Sequence, residues 1–488
     1  MNQDTRIMDA LHNDSLQRMQ HHADPLGDRT IATILGPWAQ DVAPAPDAPQ
    51  MQQIARVNQL FAQWTDNASL ESWTAPADLL GTEAAQALTR YVQEAQALPS
   101  WADRRKIERA EQLFMERGAL SCILLFCSSL PECYVIPDLS AVLHQAGQLE
   151  QHTEARIRST AAMIFPVMMH GGLSTGKGAG IAQALKVRLI HSTIRNLILR
   201  GAPPGTDVPA PLLTADHPLA GIASAQGHAS MYAALFSLGW NVKAQGLPCN
   251  QEEQAYTLLT FSYVFLRSLR RLGIGLDRAD EEAYLHAWNV VGHLIGIEQA
   301  LMAHTMEEAT VLFERMQARG RAEPVTPDPR PALGAALMNA MATSIPWKIV
   351  QPFPPMMTRL LCGHATATDL GLTAPAPWAS RLLFWGTLGL ARAIDSVMRI
   401  AFRNFSITRM LTRILGYHFM SRVLMSQTRP LQLPNELLQQ VDSVVHDWSD
   451  DPQAPAWLNR IEDRFTTSGS WSPQLSQRLA TVESPGSR

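Results

Sequence analysis

Five cysteines in 488 residues are too few for a disulfide framework, and an odd number leaves one without a partner. Cys122, Cys127 and Cys133 fall within one apolar stretch, where a reducing compartment leaves such residues as small buried hydrophobes. No CxxC pair occurs, which removes the usual basis for a zinc ribbon or a dithiol redox site. Neither sign of charge dominates: 40 Lys and Arg stand against 44 Asp and Glu, a formal −4. That balance excludes any global attraction to nucleic acid or to an anionic surface. An uncharged apolar run of about 18 residues is missing, so no membrane-spanning helix is expected. The first thirty residues carry no charged segment followed by a continuous apolar one, and the expectation is a soluble, cytoplasmic protein. Alternating β-branched stretches are scarce too.

Apolar residues instead recur every three or four positions from about residue 52 to 432, the signature of an all-α protein. The main helices are expected over 105–135, 147–170, 179–200, 252–272 and 279–306. Residues 1–50 are polar, end in DVAPAPDAPQ and read as a flexible arm. Residues 51–320 then form the helical core. A Pro-rich break, AEPVTPDPRPALG at 322–334, precedes a C-terminal helical extension of the same domain over 333–432, and 433–488 is a polar tail. Between two helices, residues 201–250 are too long and too rich in Pro and Gly for an ordinary connection, which marks a functional loop.

On a helix through 179–200 each residue advances about 100°, which sets Ala184, Val187, Ile194 and Ile198 around His191. Arg188 and Arg195 fall together on one flank of that face. An imidazole amid hydrocarbon, with two cations at its edge, is what a haem asks for: an iron ligand, apolar walls and partners for the propionates. The residues alone leave a second reading open, in which His191 is a satisfied core histidine and the arginines form a solvated rim.

The segment KVRLIHSTIRNLI at 186–198 resembles the helix that carries the proximal histidine in the latex-clearing protein family of prenyl-cleaving haem b oxygenases. LPECYVIPDLSAVLHQAGQL (130–149) and GGLSTGKGAGI (171–181) are similar to the segments before it, and NQEEQAYTLLTFSYVFLRSLRRLGI (250–274) and AYLHAWNVVGHLIGI (283–297) to the two helices after it. The resemblance covers about residues 110–305 and implies a globin-like helical core with additional N- and C-terminal helices. It also implies one haem b held without covalent attachment, and no CxxCH occurs. His191 would be the iron ligand, with Arg188 and Arg195 beside the cofactor. The reaction implied is cleavage of a C=C bond in an isoprenoid or other unsaturated hydrophobic substrate by dioxygen, giving carbonyl products. The family's Arg-x-x-Lys-Thr segment corresponds to Arg156-Ile-Arg-Ser159-Thr160, so Arg156 and Thr160 carry over as polar groups over the open face of the haem. Ser159 replaces the lysine and cannot ligate iron, which leaves the sixth position to water or dioxygen. For the family's glutamate base, Glu132, Asp138, Glu150 and Glu154 all remain candidates. Two other classes stay open: a haem protein of peroxidase-like or gas-binding role, and a cofactor-free helical binding protein.

Three further features are weighed the other way. His286 and His293, seven apart, rise about 10 Å along a helix, too far to share one ion, and are read as structural or as substitute axial ligands. GGLSTGKG at 171–178 nearly matches a P-loop but has Gly178 where Ser or Thr should bind Mg²⁺, and it follows a helix rather than a strand. Nucleotide binding is rejected. Arg392, Arg399, Arg403, Arg409, Arg413 and Arg422 interleave with apolar residues, so this stretch either touches a membrane surface peripherally or is a solvated face whose stems cover the core.

Overall fold

The computed structural model describes residues 13–38, 48–137, 139, 140, 142, 160, 163–200, 240–322, 328–343, 345 and 347–401. Among them every regular element is helical. In chain order the longer ones are α1 (Asn13–Gln20), α2 (Pro25–Leu35), α3 (Ala48–Phe61), α4 (Thr82–Ala95), α5 (Arg104–Leu124), α6 (Gly180–Leu199), α7 (Gln251–Phe261), α8 (Tyr263–Leu272), α9 (Arg278–Leu294), α10 (Met306–Ala322), α11 (Arg330–Thr343), α12 (Phe353–Cys362), α13 (His364–Asp369) and α14 (Trp378–Ala401). No single helix among the described residues is long and apolar enough to cross a membrane.

α5 starts where Asp103 caps it, the carboxylate accepting from the N–H of Arg105 and Lys106. After Leu124 it continues as a π-helical turn over Leu125–Ser129. Pro131 explains the change, because it has no N–H to offer the Cys127 carbonyl and its ring would collide with it. The carbonyls of Cys127 and Ser128 instead receive the Cys362 thiol at 3.6 Å. All five cysteines are free and buried.

The expected helix over 252–272 is two, since Ser262 (φ −97, ψ −74) breaks it. α7 is the innermost helix, with ten of its eleven residues buried, so the polar run Gln251–Gln254 must find partners inside the protein. Gln251 donates to the carbonyls of Ala23 and Gly296 and accepts from the N–H of Glu298, and Glu252 pairs with Arg319 at 3.1 Å. Burial pushes the Glu252 carboxyl up from 4.5 to about 7, against the pull of Arg319. An acid whose pKa is raised by folding stabilises the fold fully below its unfolded value, and that contribution fades as pH rises through the folded one. Glu252→Gln should therefore flatten the fall in melting temperature between pH 5 and 8. The upper bound on the difference is about 3 kcal/mol, and equal pH slopes in wild type and variant would overturn the prediction.

Residues 13–35 are not a loose arm. Leu16, Ile31, Ile34 and Leu35 are buried, and α2 lies against α4 and α6. Gly27 permits the approach to α6, because a Cβ there would stand 2.3 Å from the Ser192 hydroxyl. At the other end, α14 turns Phe384 and Leu388 onto the α12 residues Phe353 and Met356, while Trp378, Leu382 and Trp385 stay exposed. Arg403, Arg409, Arg413 and Arg422 lie outside the described residues.

Candidate functional site

The N-terminus of α6 is built by the glycine loop that mimics a P-loop. The backbone N–H groups of Gly171 and Leu173 donate to the Glu111 carboxylate at 2.8 and 3.0 Å, and the Ser174 hydroxyl reaches it at 3.4 Å. The nest thus holds an anion of the chain itself, which gives the rejection of nucleotide binding a structural reason. Asn67 completes the junction: its Oδ1 accepts from Ile181 and Ala182 in the first turn of α6, and its Nδ2 donates to the carbonyls of Gly172 and Thr175. Gly178 is required for contact, since a Cβ would lie 2.0 Å from the Gly171 carbonyl oxygen.

His191 sits two-thirds of the way along α6 and is half-buried. Val187, Ile194 and Ile190 flank it on one side, at about 40°, 60° and 100° around the helix. Val187 and Ile194 are half-buried and Ile190 is 40% exposed, while Ala184 and Ile198 are fully buried. The imidazole Nδ1 lies 3.3 Å from the Gln254 Oε1. That amide has only one sense, because its Nε2 donates to the Cys249 carbonyl at 2.8 Å. An amide oxygen can only accept, so Nδ1 carries the proton and Nε2 keeps a lone pair. Among the described residues nothing hydrogen-bonds to Nε2. Burial, and then the charge of Arg195, lower the His191 pKa from 6.5 to about 4, which keeps the ring neutral, the form that ligates metal.

Arg188 and Arg195 have other work than the one expected of them. Arg188 makes a two-pronged pair with Asp24, both contacts 2.6 Å, and donates to the Leu294 carbonyl at the end of α9. Arg195 is 1% exposed and pairs with Asp28 at 2.8 Å, while its Nη1 donates to the carbonyls of Pro248 and Cys249. Both guanidiniums fasten α6 to α2, and each is paired with a carboxylate of the chain, Asp24 or Asp28. The sequence reading missed these carboxylate partners because it took residues 1–50 for a loose arm.

Of the groups expected over the open face, Arg156 and Ser159 lie outside the described residues, and Thr160 is helical and half-buried. Among the four carboxylate candidates only Glu132 is described, and it is not free. It is 1% exposed and receives Arg267 at 2.5 Å, Gln317 at 2.8 Å and Thr366 at 3.0 Å. His286 is excluded as a substitute iron ligand, since its Nε2 accepts the Asp103 N–H at 2.8 Å. His293 is an exposed neighbour of Trp101, whose ring lies edge-on to both imidazoles. Gly292 serves packing, with Leu258 only 2.8 Å from the place of a Cβ. Gly296 serves the turn after α9, with φ +89.

Residues 115–393 match the family model described as ER-bound oxygenase mpaB/B'/rubber oxygenase, catalytic domain. This chain belongs to that family. A rubber oxygenase from Streptomyces sp. (strain K30) is 23% identical over 346 residues, spanning 69% of this chain and 65% of that protein, so the chain covers less than two thirds of the relative's length. Among solved structures, latex clearing protein LCP in its closed state superposes with a TM-score of 0.54 at 19% identity, over 88% of this chain and 90% of the other. The fold is shared. α6, α7 and α9 lie wholly inside the matched family segment, whereas Asp24 and Asp28, which fasten α6, lie outside it.

Proposed function

We propose that this member of the oxygenase family is a haem b-dependent enzyme that cleaves a C=C bond of an isoprenoid or other unsaturated hydrophobic substrate with dioxygen, giving two carbonyl products. The observation that carries the reading is His191: a neutral imidazole, its Nδ1 proton engaged by Gln254 and its Nε2 without a hydrogen bond among the described residues, on the side of α6 that carries Val187, Ile190 and Ile194. Those residues fit one axial ligand and one apolar wall of a haem. The propionates would need cations other than Arg188 and Arg195. When bound, haem b supplies the dioxygen chemistry. The chain's part is to orient the ring of His191, to exclude water along the apolar flank of α6, and to present Arg156 and Thr160 to the polar end of the reacting oxygen. Ser159, too short to ligate, leaves that side open. A terpenoid or unsaturated lipid is the substrate class favoured, and cytoplasm the compartment.

Full-length protein supplied with haem should show a Soret band, and His191→Ala should lose most of it while keeping its helical circular dichroism. Products formed from an alkene under isotope-labelled dioxygen should be carbonyls carrying the label. Haem without labelled carbonyls would leave a peroxidase-like or gas-binding protein. No Soret band at all would leave a binding protein without cofactor.

A further inference from the structure

We propose that Gln254 is the positioning residue of the His191 site, fixing which ring nitrogen is offered to iron and keeping the ligand from becoming electron-rich. The first half concerns the chain alone, and the second rests on the haem reading above.

The relay runs through four links. His191 Nδ1–H donates to Gln254 Oε1 at 3.3 Å, Gln254 Nε2 donates to the Cys249 carbonyl at 2.8 Å, Arg195 Nη1 donates to that same carbonyl at 2.7 Å, and Asp28 holds Arg195 at 2.8 Å. Two features of the backbone serve it. Cys249 is the one non-glycine among the described residues with positive φ, +52, a left-handed conformation that costs about 1 kcal/mol or more and needs surrounding contacts to hold it. That turn sets the Cys249 carbonyl between Arg195 and Gln254. The next residue, Asn250, caps α7 by accepting from the Glu253 N–H at 2.9 Å, so the strained residue and the helix that carries Gln254 are locked in sequence.

The chemistry follows from what stands behind the imidazole. A carboxylate in that place would draw the Nδ1 proton toward itself, raise the basicity of the ligand and favour oxidised iron. Gln254 is neutral and so draws the proton far less. Behind it stands Arg195, 1% exposed and paired with Asp28, so the relay ends on a neutralised ion pair and no bare carboxylate reaches the imidazole. The combination favours the ferrous state, the one that binds dioxygen, over strong electron donation of the kind that splits an oxygen–oxygen bond.

Full-length protein made without haem and labelled with nitrogen-15 histidine tests the first half by NMR, with His191→Ala to assign the ring signals. The expected result is a neutral His191 with its proton on Nδ1, the reverse of a free histidine side chain's preference, and Gln254→Leu should abolish that arrangement. A proton on Nε2 in the wild type, or an unchanged tautomer in Gln254→Leu, overturns the relay whether or not the protein takes up haem. Haem-loaded protein tests the second half: Gln254→Glu should lower the midpoint potential relative to wild type with the Soret band retained. An unchanged potential overturns the tuning role, and absence of any Soret band in the wild type overturns the haem reading while leaving the tautomer result intact.

Discussion

Replacing Glu132 by alanine is expected to cost about 3–5 kcal/mol of folding stability, the price of leaving a buried cation without its counter-charge. Arg267 is held by Glu132 at 2.5 Å and only 17% of its side chain is exposed. Its guanidinium also lies 5.3 Å from the Phe313 ring and 5.6 Å from that of Tyr263, so it cannot swing to water without breaking aromatic packing. The second carboxylate oxygen receives Gln317 and Thr366, and the Glu132 carbonyl receives Tyr256 at 2.8 Å. Arg321 ties the outer side of the cluster, donating to Asp369, Gln317 and Thr366. The short helix after α5 is thereby joined to α7, α8, α10 and α13 around one charge. Glu132→Gln, which keeps the shape, should cost less. Because the penalty comes from the orphaned arginine, Glu132→Leu combined with Arg267→Leu should be less destabilising than Glu132→Leu alone. Denaturant midpoints at constant slope report all four variants. A single-variant cost under about 1 kcal/mol would sink the idea.

Much of the helical frame is legible in the residues. α6 runs over Gly180–Leu199 and α9 over Arg278–Leu294, close to the expected 179–200 and to the start of 279–306, because periodicity and the acidic first turn of α9 are local signals. His191 is legible for the same reason: among its neighbours three and four residues away, Val187 and Ile194 are apolar and Arg188 and Arg195 mark one flank. The partners of Arg188 and Arg195 are not, since Asp24 and Asp28 lie more than 160 residues away in a polar segment without a long apolar stripe. A buried ion pair needs both ends, and composition shows only one at a time. Glu132 could be singled out only with Arg267 and Gln317 in view, 135 and 185 residues further on. Gln254 has no signature either. An amide in a run of four polar residues reads as solvent-facing until the packing shows that α7 is the innermost helix. The π-helical turn was within reach, since Pro131 inside an apolar helix demands some such adjustment.

Glu111→Ala carries the other large effect, because it would leave the glycine loop without its anion. Glu111 is fully buried and is the acceptor for the N–H groups of Gly171 and Leu173. A buried N–H with no acceptor costs about 1–3 kcal/mol, so two of them give about 2–6 kcal/mol, and the glycine-bounded turn cannot tilt them to water. The carbonyls of Pro166 and Gly171 stand 2.2 and 2.0 Å from where a Cβ on Gly172 and Gly178 would sit, so the backbone segments are already in contact. Glu111→Gln keeps one acceptor oxygen and should lose about half as much. The loop leads directly into α6, whose first turn rests on Asn67, so its loss reaches the helix that carries His191. On the proposed haem reading, haem affinity should therefore fall in Glu111→Ala even at temperatures where the variant is folded, although the carboxylate touches nothing near the imidazole. Unfolding free energies and haem titrations on the same preparations check both effects. A variant as stable as wild type, or one with lowered stability and unaltered haem affinity, would separate the loop from the site.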